Sequence, residues 1–301
     1  MELGMIGLGR MGANMTERLL GGGHRVVAYD RSPEAVQRVA GKGAVGVDSL
    51  EAVVQALKPP RALWLMVPSG DPVDQTISAL TPHLQPGDSI VDGGNSNYKD
   101  TLRRSAKLKE SGLHFIDAGT SGGIWGLKEG YSMMIGGDPE PVGRLTPVFQ
   151  TLAPAPDKGW GRVGPSGAGH FVKMVHNGIE YGLMEAYAEG FALMQRKKEF
   201  NLNLHQVAEI WRHGSVVRSW LLDLIAEGLK ENPDLSGIKA FVEDSGEGRW
   251  TAAEAVDLDL STPVITLSLL QRLRSRDSDS FADKLLAMMR HEFGGHAIKK
   301  E

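Results

Sequence analysis

A mostly parallel α/β domain followed by an all-α domain is the fold class that this 301-residue sequence predicts. Three observations predict it. Short apolar strands alternate with amphipathic helices through the first half. A strand, a glycine turn, a helix and a second strand open the chain. Beyond Pro165 the apolar spacing is helical throughout, with no convincing strand-like alternation. Alternation of this kind gives a sheet covered on both faces. The change of character places the expected domains at 1–166 and 167–301, in line with a prior of about 150 residues per domain.

Residues 3–7 form a short apolar strand that runs into Gly7-Leu8-Gly9-Arg10-Met11-Gly12. A helical pattern carrying Met15, Leu19 and Leu20 follows and stops at Gly21-Gly22-Gly23, and the strand Arg25–Tyr29 ends at Asp30. Strand, GxGxxG, helix, strand and acid in this order form the dinucleotide fingerprint in the context it requires, so the first domain is expected to be Rossmann-type. Gly7 permits the tight turn, Gly9 lets backbone approach a pyrophosphate, and Gly12 lets helix and strand pack closely. The pyrophosphate would lie on the helix N-terminus, where unpaired N–H groups and the helix dipole favour anions. Asp30 stands where a carboxylate accepts from ribose hydroxyls, which favours NAD. Arg31 beside it could hold a 2′-phosphate or stack on adenine, and so leaves NADP open.

Helices are expected near 33–40, 49–57, 73–84 and 98–111, and strands at 62–67, 89–92, 113–117 and 131–135. Ligands of such sheets bind beyond the carboxyl ends of the strands. Three small, polar loops are expected there: Val67-Pro68-Ser69, Gly93-Gly94-Asn95-Ser96 and Gly119-Thr120-Ser121-Gly122-Gly123. Together they suggest a lined cleft, with Val67, Pro68 and Asn95 on the cofactor side.

The second half is expected to contain a long helix from Gly167 to about Lys197, then helices near 204–212, 216–230, 234–242, 251–257, 263–275 and 278–293. The long helix has apolar surroundings (Phe171, Val172, Met174, Val175, Ile179) and is expected to be largely buried. Lys173, His176, Asn177 and Glu180 nevertheless share one of its faces. Lys173 and Glu180 are two turns apart, ~10 Å along the axis, which leaves room for a small substrate between a base and an acid. A solvated polar stripe is the bland alternative. A buried lysine is costly unless it loses its charge or finds a partner, and such lysines are disproportionately functional.

Composition narrows the chemistry. A formal net charge of -4 gives no reason to expect nucleic acid or an anionic membrane as partner. With no cysteine, thiolate catalysis and Cys-ligated zinc are excluded, and the nine histidines show no HExxH pair, so no metal site is expected. No apolar run approaches the ~20 residues of a membrane span. The start, MELGMIGLGRMG, does not read as a signal peptide, so the cytoplasm is the expected location.

Asp92-Gly93-Gly94-Asn95-Ser96, together with the run from His170 to Tyr181, closely resembles 6-phosphogluconate dehydrogenase, the decarboxylating enzyme, over nearly the whole chain. The length matches the short bacterial form, which often prefers NAD, and Asp30-Arg31-Ser32 stands where the NADP-dependent long form resembles Asn-Arg-Thr. The resemblance implies Lys173 as general base, Glu180 as general acid and Asn177 beside them. It implies Asn95, Ser121, Gly122, Gly123, His176 and Asn177 as ligands of the sugar acid, with Tyr181 reaching its phosphate. No metal is implied.

The match loosens at the phosphate end. The family's Lys-Gly-Thr-Gly-Lys-Trp-Thr appears here as Ser245-Gly246-Glu247-Gly248-Arg249-Trp250-Thr251, so Ser245 and Glu247 replace a lysine and a threonine used on phosphate. Arg249 could compensate, whereas Glu247 brings an unhelpful charge. Arg272, with Arg274 as the alternative, is the expected match to a further phosphate ligand. Arg290 and His296 resemble a tail that reaches the active site of a second subunit, which implies a homodimer or homotetramer. Other β-hydroxyacid dehydrogenases, of the 3-hydroxyisobutyrate or tartronate semialdehyde type, share the first domain and the Lys173/Asn177 pair without decarboxylating. A non-catalytic dinucleotide-sensing protein would be expected to lose the Lys173/Glu180 pair.

Overall fold

In the computed structural model, residues 1–295 and 297–299 are described. The chain divides into two compact units, Met1–Asn177 and Gly178–Glu301. The change in sequence character at Pro165 therefore precedes the division between units, because the first turns of the long helix belong to the first unit.

The first unit carries an eight-stranded sheet. Its strands are β1 (Glu2–Ile6), β2 (Arg25–Tyr29), β3 (Val45–Gly46), β4 (Ala62–Leu65), β5 (Ser89–Asp92), β6 (His114–Ser121), β7 (Ser132–Gly136) and β8 (Trp160–Gly164). They lie in the order β3-β2-β1-β4-β5-β6-β7-β8, all parallel except for the antiparallel pair β6/β7. Every residue of β4 and β5 is buried, as expected of central strands covered on both faces. One apolar cluster includes Leu3, Met15, Trp64 and Phe149, and a second includes Ile6, Val53, Leu63 and Ile90. Neighbouring residues of one strand thus enter different clusters, as the two-residue period of a strand requires.

The helices α1 (Arg10–Gly21), α2 (Pro33–Ala40), α3 (Leu50–Gln55), α4 (Asp71–Leu80) and α5 (Tyr98–Glu110) fall where amphipathic spacing places them. Their starts follow local chemistry. Ser32 accepts from the Ala35 N–H, Ser49 from the Ala52 N–H, and Asn97 from the Lys99 N–H. α1 and α4 differ, because their caps are Gly9 and Gly70 and no side chain closes their starts.

The sheet departs from the sequence expectation in three places. β6 continues to Ser121, so Gly119-Thr120-Ser121 is strand and not loop; the antiparallel β7 supplies its ladder partners, Thr120 facing Met133. β3 and β8 were not expected, and neither were α7 (Pro139–Arg144) and α8 (Thr146–Leu152). The chain leaves β6 through Gly122, with φ of 134°, and α6 (Gly126–Glu129) before entering β7.

A single helix, α9 (Ala168–Arg196), leads into the second unit, which contains α10 (Leu204–Arg212), α11 (Trp220–Glu231), α12 (Glu247–Asp257), α13 (Pro263–Arg274) and α14 (Phe281–Gly294). The helix expected at 234–242 is absent. Leu235 and Gly237 take left-handed backbone, with φ of 51° and 78°, and Pro233 precedes them. The expectation that α9 is largely buried is also corrected: Val172 and Ile179 are 37% and 53% exposed. Among the described residues, no helix is long and apolar enough to cross a membrane.

Candidate active site

Strand order reverses between β1 and β4, the topological switch point of a doubly wound sheet, and a cleft of about 660 Å³ opens there. Gly7, Gly9, Arg10, Met11, Gly12, Asp30, Arg31, Val67, Pro68 and Asn95 all line it. The glycines have separate tasks. Gly7 has φ of 94°, and a Cβ there would overlap the Met66 carbonyl. A Cβ on Gly12 would overlap the Gly7 carbonyl, so glycine lets α1 pack on the turn. A Cβ on Gly9 would meet nothing within 4 Å, so its backbone is open to the cleft. The first turn of α1 carries no acidic residue. Open backbone, an uncapped helix start and Arg10 suit a pyrophosphate.

Leu8 differs from its neighbours. Its side chain is buried in the core, while its N–H donates to Asp30 Oδ2 at 2.6 Å. Asp30 Oδ1 accepts from the Ser32 N–H at 2.8 Å. Asp30 thus braces the glycine turn as well as facing the cleft. Sequence reasoning missed Gln75 and Thr76 of α4 and Leu50 of α3, which also line it. Only the sheet order brings those helices alongside, although Leu50 follows a visible cap at Ser49.

The second constellation of the first unit is built on β5, β6 and the start of α9. The buried Asp92 accepts from the Ser96 hydroxyl at 2.6 Å and the Gly94 N–H at 3.1 Å, which shapes the loop that carries Asn95. Arg104 of α5, also buried, lies 3.6 Å from Asp92 and ion-pairs with Asp74 at 2.9 Å. Arg104 first, then Arg103, holds the Asp74 carboxyl well below its ordinary range.

Asp117 on β6 is fully buried and accepts from the Gly167 N–H at 2.7 Å and the His170 N–H at 2.8 Å. It therefore caps α9 from fifty residues upstream. Three glycines allow the helix to approach: a Cβ on Gly119 would overlap Lys173 Cβ, one on Gly169 would meet facing backbone, and one on Gly136 would meet the Asp117 carboxylate and the Gly169 nitrogen. This close approach puts Lys173 against the strand that ends in Thr120 and Ser121.

Lys173 is 5% exposed. Its Nζ donates to Asn177 Oδ1 and lies 3.4 Å from His176 Nδ1, which is itself 3.0 Å from Asn177 Oδ1. Gly122 and Gly123 both have positive φ, and Gly122 and Gly126 pack on the Tyr131 ring. Burial pushes the Tyr131 phenol up to about 12, so it stays neutral and acts as a platform.

In the second unit, Glu180 is half-buried and Tyr181 is buried on α9. Arg272 places its guanidinium 3.4 Å from the centroid of the Tyr181 ring. Arg274 instead pairs with Asp283 of α14, which favours Arg272 of the two. Arg249 chelates Asp244, and Arg276 adds a second ion pair. Arg249 first, then Arg276, holds the Asp244 carboxyl below its ordinary range. Glu247 is buried and accepts from the Ser245 hydroxyl. Arg290 is exposed on α14, and His296 lies outside the described residues.

A glycine-turn cleft at the switch point, with a buried lysine beside a neighbouring strand, defines the class: a nicotinamide-dinucleotide oxidoreductase with a helical second domain. Comparison with known proteins agrees. Residues 2–161 match the family model of the NAD-binding domain of 6-phosphogluconate dehydrogenase, and residues 169–199 and 186–244 match that of its C-terminal domain. The chain belongs to the 6-phosphogluconate dehydrogenase family, whose curated members include NAD- and NADP-dependent decarboxylating enzymes.

It is 44% identical over 302 residues to an NAD(+)-dependent, decarboxylating 6-phosphogluconate dehydrogenase of Haloferax volcanii, covering 100% of this chain and 99% of that one. A putative 6-phosphogluconate dehydrogenase of Bacillus subtilis is 44% identical over the full length of both chains. The structure of Plasmodium falciparum 6-phosphogluconate dehydrogenase aligns with a TM-score of 0.84 at 28% identity, over 100% of this chain and 66% of that one. A Mycobacterium tuberculosis 3-hydroxyisobutyrate dehydrogenase shares the fold, with a TM-score of 0.75 at 21% identity, over 92% of this chain and 94% of that one.

Proposed function

We propose that the chain oxidatively decarboxylates 6-phospho-D-gluconate to D-ribulose 5-phosphate and CO2, reducing NAD in preference to NADP. The observation that carries this reading is Lys173, a buried amine tied to Asn177 and His176 on the face of α9 packed against β6. The nicotinamide, when bound, accepts hydride. Lys173, as the free amine, takes the proton of the substrate's C3 hydroxyl while hydride leaves C3. The C1–C2 bond of the resulting 3-keto acid then breaks, and its electrons pass into an enolate whose oxygen the protonated Lys173 stabilises. C1 leaves as CO2, and Glu180, two helical turns along α9, protonates the former C2, which becomes C1 of the ribulose 5-phosphate.

Asn177 fixes the Lys173 amine and, with His176, Asn95, Ser121, Gly122 and Gly123, holds the sugar acid. Tyr181 and Arg272 serve its phosphate. Gly7, Gly9, Arg10, Met11 and Gly12 hold the dinucleotide's pyrophosphate, the Leu8 N–H ties that turn to Asp30, Asp30 and Arg31 meet its ribose, and Val67, Pro68 and Asn95 flank it. The NAD preference rests on Asp30, whose charge opposes a 2′-phosphate. The expected result is a higher kcat/KM with NAD, and a clear NADP preference would show that Arg31 dominates.

Replacing the base tests the reading. Lys173→Ala should lower kcat by about 10³-fold or more while NAD binding, followed by quenching of protein fluorescence, stays within about twofold. Turnover near that of the unaltered protein would sink the assignment of Lys173.

A further inference from the structure

The buried stripe of α5 is polar where an amphipathic helix would be apolar. It consists of Thr101, Arg104 and Leu108 on one face, and the first two are 0% and 2% exposed. Neither of these two lines the dinucleotide cleft, and the chemistry of Lys173 uses neither. Burying such groups is costly unless they are bonded, so their partners show what the helix holds.

Arg104 joins two loops of the cleft. Its Nε and Nη2 meet the two carboxylate oxygens of Asp74 at 3.1 and 2.9 Å. Nη2 also donates at 3.0 Å to the carbonyl of Gly70, where the chain turns from Val67-Pro68 into α4. On the other side, Nη1 lies 3.6 Å from Asp92, which shapes the Asn95 loop through Ser96 and Gly94. One guanidinium thus spans the loop after β4 and the loop after β5, and both loops line the cleft.

Thr101, one turn earlier, faces α9. Its Oγ1 is 2.7 Å from His170 Nδ1 and donates at 3.3 Å to the carbonyl of Asn97, at the end of the Asn95 loop. His170 is 1% exposed, and its Nε2 has no hydrogen-bond partner among the described residues, so Thr101 supplies the polar tie of the ring. Lys173 follows His170 by about one helical turn. Tyr98 of α5 packs the same junction, edge-on to Phe171 with ring centroids 5.3 Å apart.

We propose that α5 gauges the active site. Arg104 fixes the loops after β4 and β5 against each other, Thr101 fixes α9 through His170, and together they set Asn95 and the cleft at reacting distance from Lys173. Arg104, Thr101 and His170 are positioning residues. The proposal rests on the reading of Lys173 as the base in hydride transfer. Such transfer tolerates little error in distance, since a misplacement of about 1 Å can cost on the order of 100-fold. A lysine cannot stand in for Arg104, because a single ammonium does not reach partners on both sides of a planar fork.

The test uses the full chain with NAD, 6-phosphogluconate and its C3-deuterated form. Thr101→Val keeps the side-chain shape and removes the hydroxyl. It should lower kcat about 10-fold and enlarge the isotope effect, with NAD affinity within about twofold. Thr101→Ser should restore kcat to within about threefold, and Thr101→Ala serves if valine is not accommodated. Arg104→Lys should lower kcat and weaken NAD about 10-fold each. Arg103 pairs with Asp74 and Asp100 at the surface, and Arg103→Ala should leave kcat and NAD affinity within about twofold. Two results would overturn the proposal. One is a Thr101→Val variant with unaltered kcat, or with kcat lowered only in proportion to its folded fraction and an unaltered isotope effect. The other is an equal loss in Arg103→Ala, which would trace the effect of Arg104 to Asp74 alone. Failure of the substrate reading shows separately, as an unaltered protein inactive on 6-phosphogluconate. NAD binding, followed by fluorescence quenching, then decides: weaker binding by Arg104→Lys supports the gauge, and unchanged binding overturns it.

Discussion

Asp117 stands at the junction between the sheet and α9, and its carboxylate accepts the Gly167 and His170 N–H groups in a fully buried setting. Removing it would leave both donors without a partner away from water. Asp117→Ala should therefore destabilise the fold by about 2–4 kcal/mol, read as a lower urea midpoint at unchanged m. A midpoint within error of that of the unaltered protein would show that α9 is capped in another way. Residues of this kind were hidden in the sequence, because donor and acceptor lie fifty positions apart and an aspartate within a strand has no signature of its own. Lys173, Asn177 and Glu180 were legible because helical spacing alone puts them on one face. The Asp244–Arg249–Arg276 cluster was not, since it depends on a loop and two helices meeting.

At the scale of elements, period and punctuation located β1, β2, β5, α2, α9 and α10 to within a residue or two. They failed where tertiary pairing decides. β3 is two residues long, and β8 reads Trp-Gly-Arg-Val-Gly without a strand's alternation. α7 and α8 begin on prolines that look like loop markers but occupy first-turn positions. The extension of β6 through Gly119-Thr120-Ser121 exists because β7 pairs with it.

The helices of the second unit were found except the one expected at 234–242, and the burial of α9 was misjudged. Its described core cluster is Ala208, Leu222 and Ala226 with four part-buried neighbours. Meanwhile Val264 and Leu267 of α13 and Phe281 and Phe293 of α14 are more than half exposed. Apolar faces of that extent require cover. We infer that a second copy of the chain supplies it, with Arg290 and His296 of the tail serving the neighbouring active site. Sedimentation should give at least twice the 32.5 kDa chain mass, and a monomer at micromolar concentration would contradict the inference.

For the whole molecule, the architecture divides the work. The sheet of the first unit supplies the dinucleotide cleft and the wall against which Lys173 is buried. The second unit supplies Glu180 and a cluster of arginines around Tyr181 and Asp244. The fold alone is shared with a 3-hydroxyisobutyrate dehydrogenase, so only the chemistry separates simple oxidation from oxidation coupled to loss of CO2. The most direct measurement follows reduced nicotinamide and CO2 together as the purified protein consumes 6-phosphogluconate with NAD. Equimolar appearance of the two products is the predicted result. Reduced nicotinamide formed without CO2, or no reaction with this substrate, would contradict the account.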